Sequence, residues 1–153
     1  MSIRLAQWCK NLKTGHRDID KQHRSLFEMF DSFIMATLKN SGDEKLPSLL
    51  EFLVKYSSEH FYYEEQYYRR KNYPKFAHHK KEHEVFTQNL RIIKRKCFKE
   101  SNSLHVQELN KMLGEWFRNH ILQEDLAATR WIEENPSDFY FQPKRLTSKK
   151  IAD

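Results

Sequence analysis

Pairs of histidine and carboxylate residues stand four residues apart, which is helical spacing, within segments that also carry apolar residues at helical steps. His60 stands four residues before Glu64, and His79 stands four residues before His83. Residues four apart on an α-helix differ by about 40° around the axis, so each pair presents two polar groups on one face. If those faces point inward, the groups need partners, because an uncompensated buried charge costs several kcal/mol.

The rest of the sequence favours helices. The chain has three glycines and four prolines among 153 residues, and apolar residues recur at steps of three and four through four long segments. We predict an all-α fold, an antiparallel up-down four-helix bundle with short connections. The segments cover approximately residues 19–38, 47–71, 74–100 and 104–134. Pro47 suits the first turn of the second helix.

Two flanking segments complete the predicted organisation. An N-terminal arm, residues 1–18, is expected to lay Leu5, Trp8 and Leu12 across the bundle. The bundle and its arm are expected to form one domain over residues 1–135. Residues 136–153 turn polar and basic, and we expect them to form a short C-terminal extension.

Composition limits the surroundings and partners of the chain. Cysteine is confined to Cys9 and Cys97, which excludes a disulfide framework and favours a cytoplasmic location. No stretch approaches the run of about 18 apolar residues that a membrane span needs. The formal charge is +6, but basic residues alternate with polar and apolar ones, so we interpret them as solvated helix faces and expect no nucleic acid partner.

Two further histidines share helix faces with apolar residues. His23 lies on the face of the first predicted helix that carries Phe27 and Phe30, and His120 shares a face with Trp116 in the fourth. Metal binding would satisfy these inward polar groups together with the two pairs. Imidazole and carboxylate ligands suit iron, and the lack of paired thiolates argues against a structural zinc site.

Two metal ions account for the number of candidate ligands. Two six-coordinate irons offer roughly twelve positions, and five histidines, two bridging carboxylates and one oxygen bridge fill about eleven of them. One position is then open to a small molecule. The chain has neither the Glu-x-x-His pairs of ferritin-like sites nor the His-Glu-x-x-His motif of zinc peptidases. A histidine-rich centre favours binding oxygen over oxidising a hydrocarbon with it.

Spacing alone leaves two ligand choices open. Glu124 stands four residues after His120, whereas Asp125, at five residues, is displaced by about 140° on a regular helix. In the third predicted helix, His78 and Glu82 also stand four apart, beside the pair that begins at residue 79.

The candidate ligands lie within longer motifs. In chain order these are Thr14-Gly15-His16, Ile19-Asp20-Lys21-Gln22-His23, His60-Phe61 with Glu64-Glu65, Tyr73-Pro74 with His79 and His83, and Trp116-Phe117 with His120-Ile121 and Asp125. Together they resemble the hemerythrin family, and its bacterial members most closely. The resemblance extends from Trp8 to Asp125, so it covers most of the chain and is far more specific than any one pair.

The resemblance implies an oxo- or hydroxo-bridged di-iron centre. It selects Asp125 over Glu124 and His79 over His78, and it implies either a distorted helix or an Asp125 side chain that reaches in from the flank. Three histidines would hold one iron, two histidines the other, and two carboxylates would bridge them. These are His79, His83 and His120 for the first iron, His23 and His60 for the second, and Glu64 and Asp125 for the bridges.

The same resemblance implies reversible binding of dioxygen at the open position, for storage, transport or delivery, by a protein that is not an enzyme. Trp116, Ile121 and Leu122 match family positions near the pocket, where an apolar lining slows water entry and autoxidation. The alternatives are an oxygen or redox sensor and a nitric oxide or peroxide-handling protein that uses the same centre. Besides dioxygen, an acidic protein or an oxygen-consuming membrane enzyme is a candidate partner, and we expect a monomer or weak oligomer.

Three other residues carry expectations of their own. Tyr68 stands where members of the family often have Met. Its hydroxyl could hydrogen-bond near the pocket or approach iron, but we interpret the residue as filling core volume. His16 is expected to cap or pack near the start of the first helix, and His105 is expected to face solvent.

Overall fold

The computed structural model describes residues 8–39, 42–99, 108–109 and 111–136. Within these residues the chain forms four long helices and no strand, so the all-α prediction is confirmed. The helices are α1 (Arg17–Leu38), α2 (Gly42–Arg70), α3 (Phe76–Lys99) and α4, a run of consecutive helical segments over residues 112–134. Leu5, His105 and the predicted extension beyond residue 136 lie outside the described residues.

Side chains form hydrogen bonds with the backbone just before α1 and in its first turn. The backbone N–H and hydroxyl of Thr14 donate to one oxygen of Asp20 at 2.7 and 2.8 Å, and the N–H of Gly15 donates to the other at 3.2 Å. Gly15 has φ 89°, a conformation that glycine adopts without strain. His16 accepts from the N–H of Ile19 through Nδ1 at 3.4 Å, so His16 caps the helix as predicted.

The second helix begins earlier than predicted. It starts at Gly42, so Pro47 lies inside the helix rather than in its first turn. Proline lacks one N–H, and this near the helix start it removes a single backbone hydrogen bond. At the other end, Asn72 adopts φ 54° and Tyr73 N–H donates to the carbonyl of Tyr68 at 3.0 Å, a geometry that stops a helix and turns the chain toward α3.

Contacts between neighbouring helices show that all four run antiparallel to their neighbours. Residue numbers rise along one helix as they fall along the next. The pairs are His16, the cap just before α1, with Tyr67 and His23 with His60 for α1 and α2, Phe61–Phe86 and Tyr68–His79 for α2 and α3, Phe86–Trp116 and His83–His120 for α3 and α4, and Phe30–Gly114 and His23–Asp125 for α1 and α4. The predicted up-down bundle is therefore confirmed.

Two apolar clusters enclose the middle of the bundle. The larger contains Leu26, Leu53 and Leu90, and the smaller is built around Tyr68 and Ile132. The N-terminal arm packs on the larger cluster through Trp8 and a fully buried Leu12, as predicted. Among the described residues no helix is long and apolar enough to cross a membrane.

Candidate metal centre

The four helices bring seven polar side chains together between the two apolar clusters. None of the seven exposes more than 4 % of its surface. They are His23 from α1, His60 and Glu64 from α2, His79 and His83 from α3, and His120 and Asp125 from α4. The structure thus places all of the residues predicted as ligands in one buried cluster.

Glu64 lies between two groups of histidines. Its Oε1 is 3.3 Å from Nε2 of His60 and 3.5 Å from Nε2 of His23. Its Oε2 is 3.3 Å from Nε2 of His83 and 3.6 Å from Nε2 of His79. One carboxylate therefore turns one oxygen toward each group.

Asp125 spans the same two groups. Its Oδ1 is 3.2 Å from Nε2 of His79 and 3.4 Å from Nε2 of His120, and its Oδ2 is 3.2 Å from Nε2 of His23. The donor atoms form two sets, each with atoms within 4.8 Å of one another. The larger set is Glu64, His79, His83, His120 and Asp125, and the smaller is His23, His60 and Glu64.

The unpaired polar atoms of the cluster fit a pair of metal ions. Both oxygens of Glu64, both oxygens of Asp125 and Nε2 of His79 are buried and form no aligned hydrogen bond, although Nε2 of His79 lies 3.2 Å from Asp125 and 3.6 Å from Glu64. Proteins leave few buried polar atoms unpaired, so such a concentration indicates a ligand site. Across the cluster, Nε2 atoms of two histidine pairs face each other at 3.1 Å, in His23 with His60 and in His83 with His120. Imidazole nitrogen and carboxylate oxygen are suitable donors for iron.

A wide turn in α4 explains how Asp125 reaches the cluster. The chain is a π-helix from Ile121 to Asp125. In this geometry each N–H bonds to the carbonyl five residues earlier, so residues five apart lie about one turn apart. His120 and Asp125 therefore share a face, and the distortion expected from the family resemblance is present.

The two rival residues lie outside the cluster and pair with each other. His78 Nε2 is 3.4 Å from Glu124 Oε1, and the side chain of His78 is 60 % exposed. By contrast, His79 and Asp125 are completely buried. The structure therefore places His79 and Asp125, which the resemblance selected, inside the cluster. It places the rivals His78 and Glu124 outside the cluster.

Comparison with known proteins agrees with this geometry. A family model described as the hemerythrin HHE cation binding domain matches residues 14–132. The chain belongs to the hemerythrin family. It is 29 % identical to the bacteriohemerythrin of Stenotrophomonas maltophilia (strain R551-3), over 88 % of this chain and 86 % of that protein. It is 30 % identical to the myohemerythrin of Theromyzon tessulatum, over 78 % of this chain and 87 % of that protein. No solved structure matches the chain.

Membership of the hemerythrin family implies di-iron binding, and the electrostatics of the cluster favour cations. Burial lowers the pKa of His23, but the adjacent carboxylates of Asp125 and Glu64 outweigh burial and raise that pKa to about 9. The same balance raises the pKa of His79 to about 10. Burial lowers the pKa of His60 to about 3, because the attraction of Glu64 offsets it only in part. Although burial acts to raise them, the pKa values of Glu64 and Asp125 stay well below the usual range because of the histidines.

These pKa values predict a pH dependence for protein prepared without metal. His23 and His79 titrate near 6.5 when unfolded but at about 9 and about 10 when folded. The stabilisation from their protons is therefore complete below pH 6.5 and is lost as the pH rises through about 9 for His23 and about 10 for His79. We expect the urea midpoint of metal-free protein to fall between those pH values. Iron-loaded protein should show a smaller fall, because the ring nitrogens then bind metal instead of protons; equal falls would contradict this assignment.

Two residues to which sequence reasoning gave no role form hydrogen bonds with the Nδ1 atoms of His60 and His83. His60 Nδ1 is 2.6 Å from Gln22 Oε1, and His83 Nδ1 is 3.2 Å from Glu65 Oε1. A hydrogen bond at Nδ1 leaves Nε2 free to bind a metal and holds the ring in place. Both residues stand next to a candidate ligand in the quoted motifs, and that adjacency was the available signal.

Aromatic rings line the cluster. Trp116 stacks on His120 with ring centroids 4.5 Å apart, and Phe61 stacks on His83 at 3.9 Å. Phe117 meets His23 edge-on at 5.5 Å. Sequence reasoning named Trp116 as a pocket residue but gave no role to Phe61 or Phe117, which appeared only within the quoted motifs.

The other two predicted pocket residues are placed less directly. Ile121 is fully buried in the larger apolar cluster, and Leu122 is partly buried against the same cluster. Neither packing position by itself assigns a pocket role. Their part in a lining stays a prediction.

Proposed function

We propose that this chain binds dioxygen reversibly at a di-iron centre, for oxygen storage, transport or delivery. The observation that carries the proposal is the placement of the two carboxylates, each of which turns one oxygen toward each histidine group. Carboxylates in that position are suited to bridge two ions. Iron in such a centre supplies the electrons that reversible oxygen binding requires.

The two groups of ligands are unequal, and this inequality supports an open position on one side. The larger donor set contains three histidines and both carboxylates, whereas the smaller contains His23, His60 and Glu64. We assign His79, His83 and His120 to one iron and His23 and His60 to the other. If both carboxylates are shared, the second iron would have fewer ligands from the protein. A small molecule is expected to bind there.

The surroundings of His23 suit an apolar gas rather than water. Phe117 meets its ring edge-on, and the Trp8 ring lies 6.3 Å away. An enclosure of this kind excludes water and thereby limits irreversible oxidation of the metal.

The test is iron analysis combined with optical spectra of the reduced protein before and after oxygen is admitted. We expect about two irons per chain and an absorption band that appears with oxygen and disappears when oxygen is removed. Failure to bind iron would refute the whole proposal. Two irons with a rapid, irreversible oxidation would refute the carrier function and favour a sensor or a peroxide-handling protein.

A variant of the predicted lining provides a separate prediction. Leu122→Ala is expected to accelerate autoxidation of the oxygenated protein, because a smaller side chain admits water to the centre. Val85→Ala is the matched control, since Val85 is 38 % exposed on α3. The measurement is the rate at which the oxygen-dependent band is lost. A rate equal to that of the control would remove Leu122 from the lining.

The cellular context is proposed on composition. A chain whose cysteines are confined to Cys9 and Cys97 suits the reducing cytoplasm. Its formal charge of +6 is compatible with an acidic protein partner.

A further inference from the structure

The inward face of α2 carries a column of four polar residues at steps of four. The column is Tyr56, His60, Glu64 and Tyr68, and all four are buried. Its two middle members are proposed iron ligands, and a tyrosine stands at each end. Both tyrosine hydroxyls are buried without a hydrogen-bond partner.

The two tyrosines differ in their distance from the carboxylate. Tyr68 follows Glu64 by one turn, about 6 Å along the helix axis, whereas Tyr56 precedes it by two turns, about 12 Å. The Tyr68 ring meets His79 nearly at right angles, with centroids 4.8 Å apart. The Tyr56 ring instead lies almost flat against His60, at 4.9 Å and 24°. Tyr68 is therefore the tyrosine placed beside both Glu64 and a histidine of the larger donor set.

An unpaired hydroxyl at this place is costly unless it has a partner in the working protein. A buried polar group that lacks a hydrogen bond destabilises the folded protein, and phenylalanine would fill the same volume without that cost. A bridging carboxylate has spare acceptor capacity, because an ionised carboxylate offers about four lone-pair sites and two metal bonds use only two. Glu64 is therefore a hydrogen-bond acceptor one helical turn away from the Tyr68 hydroxyl, a donor without an acceptor.

Electrostatics keep the Tyr68 hydroxyl in its donor form. Burial raises its pKa well above 10, and the negative charges of Glu64 and Asp125 raise it further. In the structure this hydroxyl forms no hydrogen bond. Pairing with Glu64 therefore requires a change in the position of one of the two side chains.

We propose that Tyr68 is a positioning residue that donates a hydrogen bond to the Glu64 carboxylate when that carboxylate bridges the irons. The inference rests on the proposed di-iron centre and extends it. A donated hydrogen bond withdraws electron density from the carboxylate, which then stabilises oxidised iron less. Tyr68 thereby raises the reduction potential of the centre and helps to keep the iron reduced.

Removing the hydroxyl tests the proposal in iron-loaded protein. Tyr68→Phe should bind as much iron as the parent but shift the ratio of oxidised to reduced centre about tenfold toward oxidised, which corresponds to about 59 mV for one electron. Tyr56→Phe is the matched control, because it removes an equally buried, unpaired hydroxyl from the same column. It should leave the potential unchanged. Tyr68→Met, which lacks both hydroxyl and ring, should shift the potential in the same direction as Tyr68→Phe.

A second readout does not depend on redox activity. Without iron, Tyr68→Phe should melt at the same temperature as the parent or higher, because the lost hydroxyl had no protein partner. With iron, Tyr68→Phe should melt below the parent, and Tyr56→Phe should show no such iron-dependent loss.

Several outcomes would overturn the role of Tyr68. These are an unchanged potential in Tyr68→Phe, an equal shift in Tyr56→Phe, or loss of iron from Tyr68→Phe, which would make the residue structural. A parent protein that fails to bind iron would instead refute the proposed function, so the two failures are distinguishable.

Discussion

His79→Ala is expected to bind less iron than the parent protein, whereas His78→Ala is expected to bind the same amount. His79 is completely buried, with Nε2 3.2 Å from Asp125 and 3.6 Å from Glu64. His78, one residue earlier, faces solvent and the exterior side chain of Glu124. Loss of even an outer partner of a ligand typically costs about 10–100-fold in metal affinity, so loss of the ligand itself should cost at least as much.

The measurement is iron per chain after reconstitution and gel filtration. Because both variants replace histidine by alanine at adjacent positions of one helix, they carry the same change in composition and helix propensity. Glu82→Ala is a second control, since Glu82 stands four residues after His78 and belonged to the rival pair. Equal iron loss from His79→Ala and His78→Ala would refute the ligand assignment on α3.

Asp125→Ala is expected to have a larger effect than His79→Ala, because Asp125 faces both histidine groups. Its two oxygens lie 3.2 Å from His79 and 3.2 Å from His23. Removing it should weaken the binding of both ions, and Glu64→Ala should act similarly for the same reason. Glu124→Ala should keep its iron, because the Glu124 side chain pairs with His78 outside the cluster.

Iron content and the optical spectrum of the reconstituted variants decide this second prediction. Retention of a full iron complement by Asp125→Ala, or an equal loss from Glu124→Ala, would show that the wide turn of α4 does not deliver a ligand. Thermal unfolding of the variants without iron provides the folding control. Similar melting temperatures would assign any difference in iron content to the site.

Much of the fold followed from periodicity, because buried apolar faces at steps of three and four specify helices and their neighbours. The ends of the helices were less predictable. Pro47 was expected in a first turn, but α2 extends back to Gly42. A proline near a helix start costs one hydrogen bond, which packing outweighs. The last residue of α4, Glu134, agrees with the prediction.

The candidate site was predictable in part from spacing and in part only from the family resemblance. The two pairs on α2 and α3 obey the step of four. Glu124 obeys it as well, yet the structure turns Glu124 outward and Asp125 inward. Spacing rules assume a regular helix, and a π turn breaks that assumption without a sequence signal that those rules detect.

The residues behind and around the candidate ligands were the least predictable. Gln22 on α1 contacts His60 on α2, and Glu65 on α2 contacts His83 on α3. Contacts between helices depend on how the helices are rotated against each other, which a single sequence does not specify. Phe117 is a buried apolar residue like others of the core, and its edge-on contact with His23 is what assigns it to the candidate site.

The wide turn at Ile121–Asp125 makes the ligand position equivalent to a one-residue insertion into a regular helix. An alignment that treats α4 as uniform would pair Asp125 with a neighbour's surface residue and conceal the shared ligand. A designer who idealised α4 would face the same hazard. Straightening the turn would exchange Asp125 for Glu124, which keeps the charge but adds a methylene and changes the reach. Transplanting this site into another bundle therefore requires copying the irregular backbone together with the seven side chains.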